Sequence, residues 1–306
     1  MRPKWLPIGG LMLLSLLWAA GWVRADLSPG SGAGLRLSPL WHEAVLLGVF
    51  AVGSGVVGMA RRRRWLNLDA MEEAVLVGAG LFVVPAVLKA LAAGRIEDST
   101  RVAVFSLTPL FAVVFEPHVG QGAEQSPENP GAFLAAMTAV AGTLLVFPVE
   151  LPRSYSSGFA LMGLVVAAAA VAAANCIAVR EVSHRGSSLL MFATVGAGSA
   201  ACLIAPIGAM FRQSAEVGVR ADVWAVLDLI ALGLLFWLMR RMSAVQMTTR
   251  FLIAPLIANL IGLALLRPHV EIQSWIGLLL IVGGAGWMVF APAEKGESNL
   301  TTLESS

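Results

Sequence analysis

The chain has 306 residues, 58% of them hydrophobic and only 13% charged, with a formal net charge of +2. Soluble domains carry about a quarter charged residues, so this composition excludes an ordinary water-soluble globule. The net charge says little about partners, and most basic residues sit at segment ends, where topology explains them better than nucleic acid does. The two cysteines, Cys176 and Cys202, both lie inside apolar runs, which excludes a disulfide framework or a cysteine metal cluster.

The apolar residues form long blocks separated by charges and turn residues, and the mean hydropathy is +0.79. A helix needs roughly 20 apolar residues to cross a hydrocarbon core, because lipid offers no partner to a free backbone N–H or C=O. The pattern predicts an all-α polytopic membrane protein with ten spans, near 6–23, 41–60, 72–91, 98–115, 131–149, 158–179, 187–211, 222–239, 243–265 and 271–290. The first 25 residues also fit a cleaved signal peptide, with Val23-Arg24-Ala25 before Asp26. The apolar stretch from Trp5 to Val23 is long for a signal peptide and long enough to span, so a retained helix is the reading adopted.

Lysine and arginine placement orients the spans. With the N-terminus inside, Arg2, Lys4, the Arg61–Arg64 run, Arg180, Arg185, Arg240, Arg241 and Lys295 fall on the cytoplasmic side. The other side holds scattered arginines only. Both termini are then cytoplasmic, as in a multi-pass protein of the inner membrane. "RADLSPGSGAGLRLSP" at 24–39 is expected as an outer loop and "EPHVGQGAEQSPENP" at 116–130 as an inner one. The polar tail 291–306 is expected to be disordered.

One phrase occurs twice. "STRVAVFSLTPLFAVVFEPHV" runs from Ser99 to Val119, and "TTRFLIAPLIANLIGLALLRPHV" from Thr248 to Val270. Each has hydroxyls and an arginine at its start, a proline within an apolar run, and Pro-His-Val at its end. They fall on the fourth span of a first set of five and the fourth of a second set. An odd number of spans per set reverses the second set in the membrane, so residues 1–150 and 158–290 are expected to form two inverted five-helix repeats. Chance similarity between leucine-rich helices is the competing explanation.

Four stretches resemble the drug/metabolite transporter superfamily of EamA type. They are "LLWAAGWVR" at Leu16–Arg24, "IEDSTRVAVFSLTPLF" at Ile96–Phe111, "MSAVQMTTRFLIAPLI" at Met242–Ile257 and "LRPHVEIQSWIGLLLIVGGAGWMV" at Leu266–Val289. The resemblance touches both halves and implies a secondary transporter that exports small organic metabolites or drugs. The chain departs from the pattern at Arg101 and Arg250, where small or apolar residues are usual, and at Arg267, which replaces an acid. Glu116-Pro117 comes about five residues early, which predicts a shortened or bent fourth helix.

An ionisable side chain in hydrocarbon is costly and is a functional candidate by default. Asp228, Lys89 and Arg101 all fall in the outer half of their spans, where a carboxylate and bases can meet across a cavity. Asp228 is also a candidate for exchanging a coupling proton. A static ion pair, or snorkelling of Lys89 to the interface, is the structural alternative. Arg250 lies about two turns inside the ninth span, as a fixed cation suited to carboxylates or phosphates. A contact with helix carbonyls would explain it equally. Trp18 is a candidate for walling a cavity, Trp22 for an interfacial belt, and Asn175 for a substrate or interhelical hydrogen bond. Pro109 and Pro255 are candidate helix bends. The glycines of "VGSGVVGMA" and "VGGAGW" read as helix-packing positions.

Nothing points to an enzyme. The four histidines, His42, His118, His184 and His269, lie in loops or at helix ends, and neither HExxH nor GxxxxGK[ST] occurs. No metal and no cofactor is expected. The function expected is alternating-access transport, with a non-transporting membrane scaffold or accessory subunit as the alternative. The partners implied are a small-molecule substrate, the lipid bilayer, a coupling proton and, in a homodimer, a second copy of the chain.

Overall fold

The computed structural model describes residues 5–27, 36–119, 130–149, 152, 154–184, 187–210, 219–220, 223–266 and 271–290. The tail 291–306, Arg267 and the orienting residues Arg2, Lys4, Arg185 and Lys295 lie outside the described residues.

Helix α1 (Trp5–Leu27) is followed by α2 (Pro39–Ala60). Ser38 caps α2 through its hydroxyl, which accepts from Trp41 N, and Pro39 occupies the first turn, where its missing N–H costs nothing. Asn67 caps α3 (Leu68–Gly78) in the same way. A π-turn at Ala79–Val83 then joins α3 to α4 (Val84–Ala92). There the Val84 N–H donates to the Ala79 carbonyl five residues back, immediately before Pro85, which has no N–H of its own.

Helix α5 (Asp98–Phe105) breaks at Ser106–Leu107 and continues as α6 (Thr108–Val119). The helix runs through Pro117, so the early Glu116-Pro117 does not shorten it. This span reaches Val119 rather than 115, and residues 116–119 of the expected inner loop are helical. Then come α7 (Pro130–Val146) and α8 (Tyr155–Val179), the latter extended by a π-turn at Arg180–His184. Ser154 and Ser157 form a capping box at the start of α8. Helices α9 (Leu189–Met210) and α10 (Val223–Met239) follow, then α11 (Ala244–Thr248), which breaks at Thr249 before α12 (Arg250–Leu266), and finally α13 (Ile272–Phe290).

Seven of these helical stretches are long and apolar enough to cross a membrane, and three shorter apolar helices accompany them at Trp5–Gly21, Pro130–Val146 and Ala225–Met239. Their surface agrees with a polytopic membrane protein. On α2, Leu40, Ala44, Leu47 and Ala51 are buried while Val45, Val49, Val52 and Val56 are exposed, so both faces are apolar. Contiguous apolar surface on this scale is unusual in contact with water and is what lipid requires. Exposed Trp5, Trp41, Trp65, Tyr155 and Trp275 lie at or near helix starts, where interfacial aromatics belong.

The connections gather at two opposite faces. At one, Arg36–Leu37 (β1) pairs antiparallel with Val219–Arg220 (β2), and residues 94–101 share a recess with Pro152, Ser154, Ser156 and Ser157. At the other, residues 61–67 lie against Glu181, residues 187–190 and Arg240. Close packing uses glycine. A Cβ on Gly142 would lie 2.6 Å from the Gly277 carbonyl and one on Gly277 2.7 Å from the Gly142 carbonyl, so α7 and α13 touch backbone to backbone. Of the glycines read as packing positions, Gly55, Gly58 and Gly284 meet a neighbouring helix, whereas Gly53, Gly283 and Gly286 face open space.

Candidate functional site

A cavity of about 350 Å³ lies in the half of the bundle nearer the β1–β2 face. Helices α1, α2, α4, α5, α8, α10 and α12 line it together with the π-turn, while α7, α9 and α13 contribute nothing. Trp18, Lys89, Arg101, Asp228, Arg250 and Pro255 are all on its wall. Side chains far apart in the sequence therefore share one enclosure with the aromatic rings of Phe82, Phe105 and Phe251. Trp22's side chain lies outside what the structure describes.

Arg250 is held most tightly. It is 1% exposed and opens α12 directly after the break at Thr249. The local sequence explains the break. Thr248 Oγ1 donates to the carbonyls of Ala244 and Val245, and Thr249 Oγ1 to that of Gln246, so hydroxyls serve carbonyls at the end of α11. Arg250 Nη1 donates to the Met247 carbonyl at 3.0 Å and to Asn175 Oδ1 at 3.2 Å. Its guanidinium carbon lies 5.2 Å from the ring centre of Trp18 and 4.8 Å from that of Phe251, within cation–π range of both. Among the described residues, Nε has no acceptor.

Asn175 does not line the cavity. It is fully buried behind Arg250, its Nδ2 donating to the Val171 carbonyl at 2.7 Å, so that its oxygen faces the guanidinium. Of the two roles open to it, the structure supplies the interhelical one, linking α8 to α12.

Arg101 sits at the rim. Its Nε and Nη2 donate to the Ile96 carbonyl at 3.2 and 3.0 Å, and Nη1 pairs with Asp98 at 2.9 Å. Asp98 is 87% exposed, so this arginine is matched locally at the solvent edge rather than across the cavity. Lys89 is exposed to the cavity, its Nζ 4.8 Å from the Phe105 ring centre. It interacts electrostatically with Glu43 of α2, which lines the same space. Asp228 faces the cavity from α10.

Glu43 was not among the sequence candidates. The available signal was an acid inside an otherwise carboxylate-free run from Pro39 to Ala60. Its place near a helix start, where acids are ordinary, concealed it.

The prolines behave differently from the expectation of two mid-helix bends. Pro109 is the second residue of α6, so the interruption lies just before it at Ser106–Leu107. Ser106 Oγ donates to the Ala103 carbonyl and Thr108 Oγ1 to that of Phe105. Pro255 lies inside an unbroken helix, six residues after the break at Thr249. The two arginines of the duplicated phrase are therefore not equivalent: Arg101 precedes its break by five residues, whereas Arg250 follows its own directly.

Below Arg250, toward the 61–67 face, the helices close together. Cys176 Sγ lies 3.9 Å from the Ala112 carbonyl. Glu116 Oε1 accepts from the Ala244 N–H at the start of α11, at 3.3 Å. Arg180 joins three helices, its Nη2 pairing with Glu73 at 2.7 Å and its Nη1 donating to the Val119 carbonyl at 3.0 Å. Gln246 Nε2 donates to the Val289 carbonyl at 3.1 Å.

No protein-family model and no curated protein matches this chain. Its fold, by contrast, is shared. The chain is similar to a protein of known crystal structure with a TM-score of 0.68, at 17% sequence identity, over 92% of this chain and 96% of that one. At that identity the likeness concerns the fold alone.

Proposed function

We propose that this chain is a secondary active transporter that moves a small organic molecule across the inner membrane by alternating access. One observation carries the reading. A cavity lined by Glu43, Lys89, Asp228 and Arg250 sits inside a lipid-compatible bundle, toward one face, while tight contacts close the bundle toward the other. Charged groups are costly at this depth unless they serve a ligand, an ion or one another. A scaffold with charges locked in structural pairs has no need of an enclosed, solvent-reachable space around Lys89.

Helix packing supports two inverted halves. Counting α3–α4, α5–α6 and α11–α12 as interrupted single spans gives ten. Moving five spans along the chain exchanges the packing of α1 on α12 with that of α8 on α6, and of α1 on α10 with that of α8 on α4. The pairs α2 with α9, α7 with α13 and α6 with α11 map onto themselves. Two halves that can exchange shapes are the usual basis of alternating access. The EamA-type resemblance adds export as the direction, with both termini cytoplasmic, and Asp228 is the residue proposed to exchange a proton.

Reconstitution tests the proposal. The purified protein in liposomes is expected to give saturable, gradient-driven flux of at least one member of a panel of organic acids, amino acids, nucleosides and cationic dyes. Absence of flux for every compound that stabilises the protein would favour the scaffold reading.

A further inference from the structure

We infer that the cavity takes a small organic anion, with a carboxylate seated on Arg250 and a planar apolar body against Trp18 and Phe251. The inference rests on the transport reading for its physiological use, but binding is measurable without transport. It starts from how unequally the three cations on the wall are matched. Arg101 makes a contact ion pair with Asp98 at the rim, and Lys89 lies in the field of Glu43. Arg250 is the most deeply buried of them, and its hydrogen-bond partners are neutral, an amide oxygen and a main-chain carbonyl.

A buried guanidinium keeps its proton, so its charge has to be compensated in place. The two flanking rings and two neutral acceptors supply part of that compensation. Both hydrogen bonds fall on Nη1. They anchor the group by one corner and leave the buried Nε–H without an acceptor among the described residues, on a side chain that lines the cavity. The Nε–Nη2 edge is one of the edges of the fork that grip a carboxylate with two parallel N–H donors. Asn175 and Met247 thus act as positioning groups that fix which edge is presented.

The rest of the wall selects the body of the ligand. Trp18 and Phe251 meet edge to face with ring centres 5.7 Å apart, and Phe105 stacks beyond Phe251 at 5.9 Å. They form a continuous aromatic surface beginning at the guanidinium itself. A volume of about 350 Å³ lies at the small end of the roughly 300–1,000 Å³ range of ligand sites, which suits a single-ring or two-ring acid.

The test uses the wild-type protein in detergent with three matched sets of probes: benzoate, phenylacetate and indole-3-acetate, the corresponding uncharged amides, and the corresponding amines. Thermal stabilisation and equilibrium binding are expected for at least one acid, with its amide and amine at least tenfold weaker. Arg250→Gln is expected to remove that preference, and Arg250→Lys, which keeps the charge but not the fork, to weaken acid binding severalfold. The inference is overturned if amides or amines bind as well as the acids, if no acid binds, or if folded Arg250→Gln binds the acid unchanged. Should Arg250→Gln fail to fold, the wild-type comparison alone decides. Acid binding without flux would sink the transport reading and leave the site standing. Flux of amines with no binding of acids would do the reverse.

Discussion

Replacing Glu73 with glutamine removes the carboxylate that Arg180 holds at 2.7 Å, while Arg180 keeps its hydrogen bond to the Val119 carbonyl. The two side chains are 21% and 17% exposed, so the pair is better shielded than a surface pair worth about 0–1 kcal/mol. A hydrogen bond to a charged group is worth about 1.5–3 kcal/mol. If the link exists only when the 61–67 face is closed, its loss tilts the closed–open equilibrium by that energy, a factor of roughly 10 to 150. Glutamine can still accept a weaker hydrogen bond, so the lower end applies. The chain carries its own reporter. Cys176 is 5% exposed and packs against α6 on the closed side of Arg250, whereas Cys202 is exposed and is removed as Cys202→Ser. In that background, Glu73→Gln should raise the rate of Cys176 modification by a small maleimide about tenfold. An unchanged rate in a monodisperse, folded variant would refute the claim that Arg180 and Glu73 hold this face shut.

Five further substitutions have expected outcomes. Gly277→Val places a branched side chain where even a Cβ would lie 2.7 Å from the Gly142 carbonyl, and should destabilise the protein by about 1–3 kcal/mol. Gly283→Ala, facing open space, should be neutral or slightly stabilising, and melting points in detergent compare the two. Asn175→Leu removes an acceptor from buried Arg250 and should cost about 1–3 kcal/mol of stability. Asn175→Asp should instead raise the melting point and weaken acid binding at least tenfold, because the new carboxylate takes up the charge proposed to hold the ligand. Asp228→Asn should abolish the response of liposome flux to an imposed pH gradient while leaving binding in detergent largely intact. Unaltered pH-driven flux would remove Asp228 from the coupling role.

Much of this arrangement was legible in the sequence because lipid constrains it so severely. Apolar runs must be helices, and charges inside them need shelter from lipid, as Lys89, Asp228 and Arg250 find on the wall of one cavity. The sequence could not say which charge meets which. Arg101 found Asp98 one turn away, a short-range solution that an expected partnership across the cavity overlooked. Glu43 was hidden because an acid near a helix start is unremarkable until the opposite wall holds a lysine. The two copies of the duplicated phrase fall on two interrupted helices, which share composition at the break rather than register. Hydroxyls at Ser106 and Thr108, and at Thr248 and Thr249, serve the carbonyls near each break, whereas the arginines and prolines lie at different distances from it. The π-turn at Ala79–Val83 depends on where Pro85 falls against α8, where a Cβ on Gly80 would be 2.8 Å from that of Ala174. Such fitting is decided by tertiary packing, not by local sequence.

Alternating access requires a cavity that is reachable from one face at a time. A single cysteine at the cavity residue Leu232, with Cys176 and Cys202 replaced, can be challenged with an impermeant maleimide from either side of uniformly oriented liposomes. Reactivity from the two sides should be reciprocal, so that adding Glu73→Gln raises it from the 61–67 face and lowers it from the β1–β2 face. Simultaneous reactivity from both faces in one condition, or none from the 61–67 face in any condition, would contradict alternating access.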